Sequence, residues 1–75
     1  MKHFPDTTEF ELRVGDDRIA TIHITNDNFE GMAAMIAVHA KMHAKLRDTC
    51  VSAYFADADE PVLNAYPQGY TEVYR

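Results

Sequence analysis

The sequence predicts a two-layer α+β fold in which one helix packs on one face of a mainly antiparallel sheet, in the order ββαββ. Two strand-like segments open the chain, a long segment with helical periodicity follows, and shorter strand-like segments come last. Seventy-five residues correspond to a single domain, residues 1–75.

The first two strands are predicted to form a hairpin. In TTEFELRV, apolar and charged residues alternate, and after the turn GDDR the segment IATIHIT is rich in β-branched residues. If the loop between the strands has an odd number of residues, Phe10 and Leu12 share a face of the sheet with a strongly apolar set: Ala20, Ile22 and Ile24. If the number is even, they share it with a more polar set: Ile19, Thr21 and His23. The apolar count favours the odd loop, which turns His23 outward beside Glu9 and Glu11.

One helix is predicted over residues 28–47. Asp27 is the expected N-cap, and Glu30 three residues later completes a pattern that resembles a capping box. Its solvent face is expected at three charged residues: Glu30, Lys41 and Lys45. The small side chains on another face are expected to meet the sheet together with Ile36: Ala33, Ala37, Ala40 and Ala44.

The remaining helix face is bulky and adaptable: Met35, His39, Met42 and Leu46. One interpretation is a partly exposed docking surface or homodimer seam, and the other is that Met32, Met35 and Leu46 fill the edge of the core. After the helix, CVSAYFA and VLNAY predict two strands joined by the turn DADEP. The tail YTEVY either adds a strand or covers an edge.

Charge excludes one class of partner. Twelve acidic residues oppose seven basic ones, which gives a net charge of −5, so direct binding of nucleic acid is not expected. Acidic side chains in two turns are candidates for contact with a basic protein surface: Asp16, Asp17, Asp57, Asp59 and Glu60. The alternative is that they serve solubility alone.

Catalysis and cofactor binding are not expected. His39 and His43 are four residues apart, as two metal ligands on a helix would be, but no third ligand is fixed nearby and the intervening AKM lacks the glutamate of HExxH. The favoured role of these imidazoles is structural or pH-sensing. Cys50, the single cysteine, is expected to be a buried structural thiol rather than a reactive one.

Aromatic residues concentrate in the last third of the chain. Tyr70 and Tyr74, with Tyr66, are candidate interface anchors, and packing on the sheet is the alternative. No segment approaches the roughly 20 apolar residues of a membrane span, and one cysteine fits a reducing compartment, so a cytoplasmic location is expected.

In size, charge and architecture the chain resembles the small phage-encoded inhibitor proteins, anti-CRISPR proteins among them. The resemblance rests on EFELRV, IATIHIT, the helix EGMAAMIAVHAKMHAKL and the acidic turns GDD and DADE. It implies a protein, cytoplasmic in its host, that docks on a basic surface of a larger nucleic-acid-handling complex and inhibits it. Two other hypotheses remain: a homodimeric structural protein of phage or bacterial origin, and a histidine-based metal sensor.

Overall fold

Five strands and one helix make up the structure, a computed structural model that describes residues 7–25 and 28–74. Their bounds are as follows: β1 Thr7–Val14, β2 Asp17–Thr25, α1 Phe29–Arg47, β3 Val51–Phe55, β4 Pro61–Ala65 and β5 Thr71–Val73. The strands form one antiparallel sheet in the order β2-β1-β3-β4-β5. The predicted α+β class is therefore confirmed, and the C-terminal tail supplies a strand at one edge.

The hairpin register agrees with the apolar pattern. Phe10 lies opposite Ile22, and Leu12 lies opposite Ala20. These side chains face the helix, where Phe10 and Leu12 are fully buried. Because side chains alternate between the two faces of a strand, a shift by one residue would have exposed this apolar set.

Phe10 and Leu12 have the partners that a loop with an odd number of residues would give them. The connection between β1 and β2, however, is a two-residue turn, Gly15-Asp16. Gly15 has φ 61, a conformation in which a side chain is disfavoured and which suits the first position of a tight hairpin turn. The register then shifts between Leu12 and Arg13, leaving Ile19 as the extra residue of a β-bulge. The bulge restores the alignment that an odd loop would have given.

The N-cap of helix α1 lies one residue later than predicted. Asn28 is the N-cap: its backbone is extended, with φ −141 and ψ 155, and its side-chain Oδ1 accepts the Gly31 N–H at 2.7 Å. The prediction of Asp27 as N-cap was therefore wrong by one residue, because Asn28 has both the extended backbone and the reach to the third helical amide. Asp27 itself lies outside the described residues.

The small face of the helix packs on the sheet, as predicted. Its buried residues are Ala33, Ile36, Ala40 and Ala44. The helix lies mainly over β3 and β4, where short side chains let the two layers approach closely. The sheet contributes the other buried side chains of the core: Phe10, Leu12, Ile24, Val51, Ala53, Val62, Leu63 and Ala65.

The strand connections give the sheet two distinct ends. The β1–β2 turn, the C-terminus of α1 and the turn between β4 and β5 lie at one end. The β3–β4 turn and the N-terminus of α1 lie at the other. Within the described residues, no helix combines the length and the apolarity that crossing a membrane requires.

Candidate functional site

The candidate acidic residues are all exposed, but they belong to opposite ends of the sheet. Phe10 pairs with Phe55 across β1 and β3. Asp16 lies six residues beyond Phe10 in one direction, and Asp57 lies two residues beyond Phe55 in the other. At roughly 3.3 Å per residue, these two turns are about 26 Å apart. They therefore cannot form one continuous acidic patch.

The end that holds the β3–β4 turn is the more acidic. We call it the acidic end, and its exposed carboxylates are Glu9, Glu30, Asp57, Asp59 and Glu60. A backbone hydrogen bond from Ala56 to the Glu9 carbonyl, 3.1 Å long, ties the turn to β1. Among residues 7–25 and 28–74, the lysines and arginines lie elsewhere: Arg13, Arg18, Lys41, Lys45 and Arg47.

At the opposite end, acidic and basic residues are mixed. Asp16 and Asp17 are exposed in and beside the hairpin turn. Arg18 follows them directly, and the last turn of α1 contributes Lys45 and Arg47. The described charges are thus distributed asymmetrically along the strand direction. Lysine and arginine are mixed with the carboxylates at one end, whereas at the acidic end Arg13 lies close enough for the charge of Asp59 to contribute to its raised pKa.

The bulky face of α1 is largely exposed. Met35 retains 43% of its accessible surface, Met42 retains 49% and Leu46 retains 77%. Val38, which the sequence interpretation did not single out, retains 63% and lies opposite the buried face. The predicted solvent face at Glu30, Lys41 and Lys45 is therefore only the flank of an apolar surface that points away from the sheet.

The histidine pair lies on the other flank of that surface. His39 and His43 are both half-buried. Within the described part of the chain, no group of three or more histidine, cysteine, aspartate or glutamate side chains is arranged to hold a metal ion. His23 instead faces the other side of the sheet, where its Nε2 lies 3.2 Å from Glu9 Oε1, as the hairpin register predicted.

Glu11 points outward from the helix, as the predicted register requires, but it is shielded from solvent. Its side chain lies on the helix-free face of the sheet but retains only 6% exposure, because two arginines cover it. Arg13 donates to its carboxylate at 2.7 Å, and the nitrogen Nε of Arg18 lies 3.4 Å away. Arg13 also stacks over the ring of Tyr54, 4.2 Å from the ring centre. The hydrogen bond to Glu11 raises the pKa of Arg13.

A second polar cluster on that face joins β3, β4 and β5. Ser52 donates to Asn64 at 2.6 Å, and Asn64 donates to the Tyr74 hydroxyl at 2.9 Å. Tyr74 and Tyr66 both donate to one oxygen of Glu72, at 2.9 and 3.1 Å. These hydrogen bonds to a carboxylate raise the pKa of both tyrosines. They hold the short strand β5 against β4.

The cluster gives the candidate aromatic anchors different surroundings. Tyr74 is tied into the hydrogen bonds just described, although 42% of its surface remains exposed. Tyr70 stacks on Tyr66 with ring centres 4.6 Å apart and remains 58% exposed. Packing on the sheet thus accounts for much of Tyr74, whereas Tyr70 is the more available for contact with another molecule.

Cys50 lies next to this cluster, between α1 and β3. Its thiol is half-buried and free. Burial, with a smaller contribution from the negative charge of Glu72, raises its pKa above the ordinary value of 9.0. A thiol with a raised pKa is a weak nucleophile at neutral pH, so the position suits a structural role.

Three sets of residues thus stand out: the acidic end, the apolar outer face of α1 and the tyrosine cluster. Sequence patterning found most of the first, but not the separation of the two acidic turns, which depends on strand order. It missed Val38, although its position opposite Ile36 and Ala40 on a helical wheel could have revealed it. Comparisons with protein-family models, curated proteins and solved structures found no match to this chain.

Proposed function

We propose that this protein is a small, non-enzymatic binding module that docks through its acidic end on a basic surface of a larger complex. The observation that carries the proposal is the concentration of exposed carboxylates there, without lysine or arginine among the described residues of that end. Such a surface attracts a positively charged partner over several ångströms and accelerates encounter.

A strongly basic protein surface is typically one that binds phosphates. A module that covers such a surface competes with nucleic acid, and we infer that it acts as an inhibitor of a nucleic-acid-handling complex. This role agrees with the resemblance to small phage-encoded inhibitors such as anti-CRISPR proteins, and with action in a host cytoplasm. The separation of about 26 Å between the acidic turns means that one compact basic patch engages one end only.

The two ends allow a matched experiment. Asp57→Lys/Glu60→Lys and Asp16→Lys/Asp17→Lys change the net charge equally but at opposite ends of the sheet. An arginine-rich peptide titrated into isotope-labelled protein serves as the basic probe. We expect the first pair to weaken binding about tenfold or more and the second pair to have a smaller effect, since the nearby charges dominate at physiological salt.

The chemical shifts give the location of binding independently. Amide resonances of the β3–β4 turn and of the start of α1 should move on titration, and raising the salt concentration should reverse the shifts. Equal weakening by both pairs would show that only net charge matters, and the assignment of the acidic end as docking site would be wrong.

The second candidate function, a homodimeric structural protein, is favoured by a different observation. The exposed apolar face of α1 begins next to Glu30 at the acidic end but runs along the outer side of the helix to Leu46, where carboxylates do not account for its exposure.

A further inference from the structure

An apolar stripe runs along the outer face of α1. Its members are three or four residues apart and point away from the sheet: Gly31, Met35, Val38, Met42 and Leu46. Four of them are large side chains that retain between 43% and 77% of their surface. Contiguous exposed apolar surface on a small domain typically marks a site of contact. From Gly31 to Leu46 the helix presents this surface over about 22 Å.

We propose that this stripe is the seam of a symmetric homodimer in which the α1 helices of two copies pack antiparallel. The helix then buries apolar side chains on both faces: the alanine face against its own sheet and the stripe against the second copy.

The spacing of the stripe fits a second copy. It extends from Gly31 to Leu46, so its centre lies beside Val38, which is on the side opposite the buried face. When two such stripes overlap fully in antiparallel orientation, Gly31 of one copy meets Leu46 of the other. Glycine has no side chain, so it leaves room for the leucine at each end of the seam. Met35 meets Met42, and methionine adapts readily to an irregular surface.

The charges select the antiparallel orientation. Glu30 in the first turn lies on the same flank of the stripe as Lys45 in the last turn. A two-fold axis perpendicular to the helices keeps that flank on one side, so Glu30 of each copy approaches Lys45 of the other. The helix dipoles also oppose each other. A parallel pair would instead place the two positive helix ends side by side and would move each Glu30 to the opposite flank from the Lys45 of the other copy.

The same flank argues against a basic protein as the occupant of this stripe. Lys41 and Lys45 border it, and they would repel a strongly positive surface. The seam and the acidic end therefore take different occupants, a second copy at one and a basic partner at the other, and the two surfaces adjoin at Glu30.

The size of the seam sets the expected affinity. A stable interface usually buries about 1,200–2,000 Å² in total, and a single pair of helices of about 28 Å lies at or below the lower limit. We expect a dissociation constant on the order of micromolar to tens of micromolar.

Sedimentation velocity of the full chain between about 1 and 500 µM tests the proposal over that range. The wild type should shift from monomer to dimer, and Val38→Lys should remain monomeric. Thr21→Lys adds the same charge at an exposed position of β2 and serves as the matched control, which should still dimerise. Circular dichroism checks that each variant folds, and Val38→Ala provides a milder variant with an intermediate dissociation constant.

Charge exchange tests the orientation. Glu30→Lys and Lys45→Glu should each weaken the dimer several-fold, because each places two like charges opposite each other across the seam. The double variant should restore the dimer, because residue 30 of one copy and residue 45 of the other again carry opposite charges. A wild type that stays monomeric to 500 µM would overturn the proposal, as would a dimer that tolerates Val38→Lys. A double variant weaker than either single variant would overturn the antiparallel arrangement.

Discussion

Replacing Ile36 by alanine tests which face of α1 packs on the sheet. Ile36 is fully buried in the middle of the helix, and the substitution removes three carbon atoms. At about 0.8 kcal/mol for each buried carbon, the transfer term is about 2.4 kcal/mol. A partly relaxed cavity adds to it, so we expect a loss of about 3 kcal/mol in the free energy of unfolding. For a domain of this size, that corresponds to a decrease of roughly 12–24 °C in Tm.

Val38→Ala is the matched control, two residues away on the same helix. Val38 retains 63% of its surface, so only about a third of the two lost carbons was buried, worth roughly 0.6 kcal/mol. The higher helix propensity of alanine offsets about the same amount. The free energy of unfolding of the monomer should therefore change by less than about 0.5 kcal/mol.

Chemical denaturation measures both variants at about 0.1 µM, where the proposed dimer is largely dissociated. The expected result is a large decrease in the midpoint for Ile36→Ala and almost none for Val38→Ala. Comparable losses in the two variants would mean that Val38 is packed within a single chain, and both the assignment of helix faces and the exposed stripe would then be wrong.

Three further predictions concern the helix start, the cysteine and the tyrosines. Asn28→Ala should cost about 1 kcal/mol in the free energy of unfolding because it removes the N-cap acceptor; Asn28→Ser should retain most of the stability, and equal Tm values for all three proteins would refute the cap. Cys50 should react with a disulfide reagent more slowly than free cysteine at pH 7, and faster as the pH rises above 9.0; a rate equal to that of free cysteine at pH 7 would contradict its burial. Absorbance titration should detect tyrosines that ionise above pH 10, and Tyr66→Phe/Tyr74→Phe should reduce that component. Since folding raises these pKa values, their stabilisation is present below the unfolded pKa near 10 and is lost as the pH rises through the folded value; a titration unchanged in the double variant would contradict the hydrogen bonds to Glu72.

The features that sequence predicted well depend on local periodicity. The alternation of apolar residues in β1 and β2 predicted which side chains face the helix. The same side chains face it in the structure, although the connection is a two-residue turn followed by a bulge at Ile19. Likewise, the spacing of Ala33, Ile36 and Ala40 identified the buried helix face. In both cases the side chains that share a face are neighbours along the chain.

The features that sequence missed depend on strand order. Glu11 alternates like a solvent-facing residue, and its burial also depends on Tyr54 of β3, over which the covering Arg13 stacks. The separation of Asp16 from Asp57 likewise follows from the antiparallel pairing of β1 with β3. Periodicity within one segment contains no information about which segments become neighbours, so these relationships required the structure.

The two proposed surfaces together predict bivalent binding. In an antiparallel helix pair, the acidic ends of the two copies lie at opposite ends of the dimer, separated by about the helix length of 28 Å or more. A single soluble basic peptide engages one acidic end at a time, whereas a densely coated surface engages both.

Surface plasmon resonance with an arginine-rich peptide at low and high coating density measures this difference. At concentrations where the wild type is dimeric, we expect it to dissociate about tenfold or more slowly from the dense surface than Val38→Lys does. At low density the two proteins should dissociate at similar rates, because the substitution lies away from the acidic end. If the wild type and Val38→Lys dissociated at the same rate at both densities, the prediction of bivalent binding would be wrong, because the dimer would not present two acidic ends to one surface. Binding of basic peptides by a single acidic end would not be contradicted by that result.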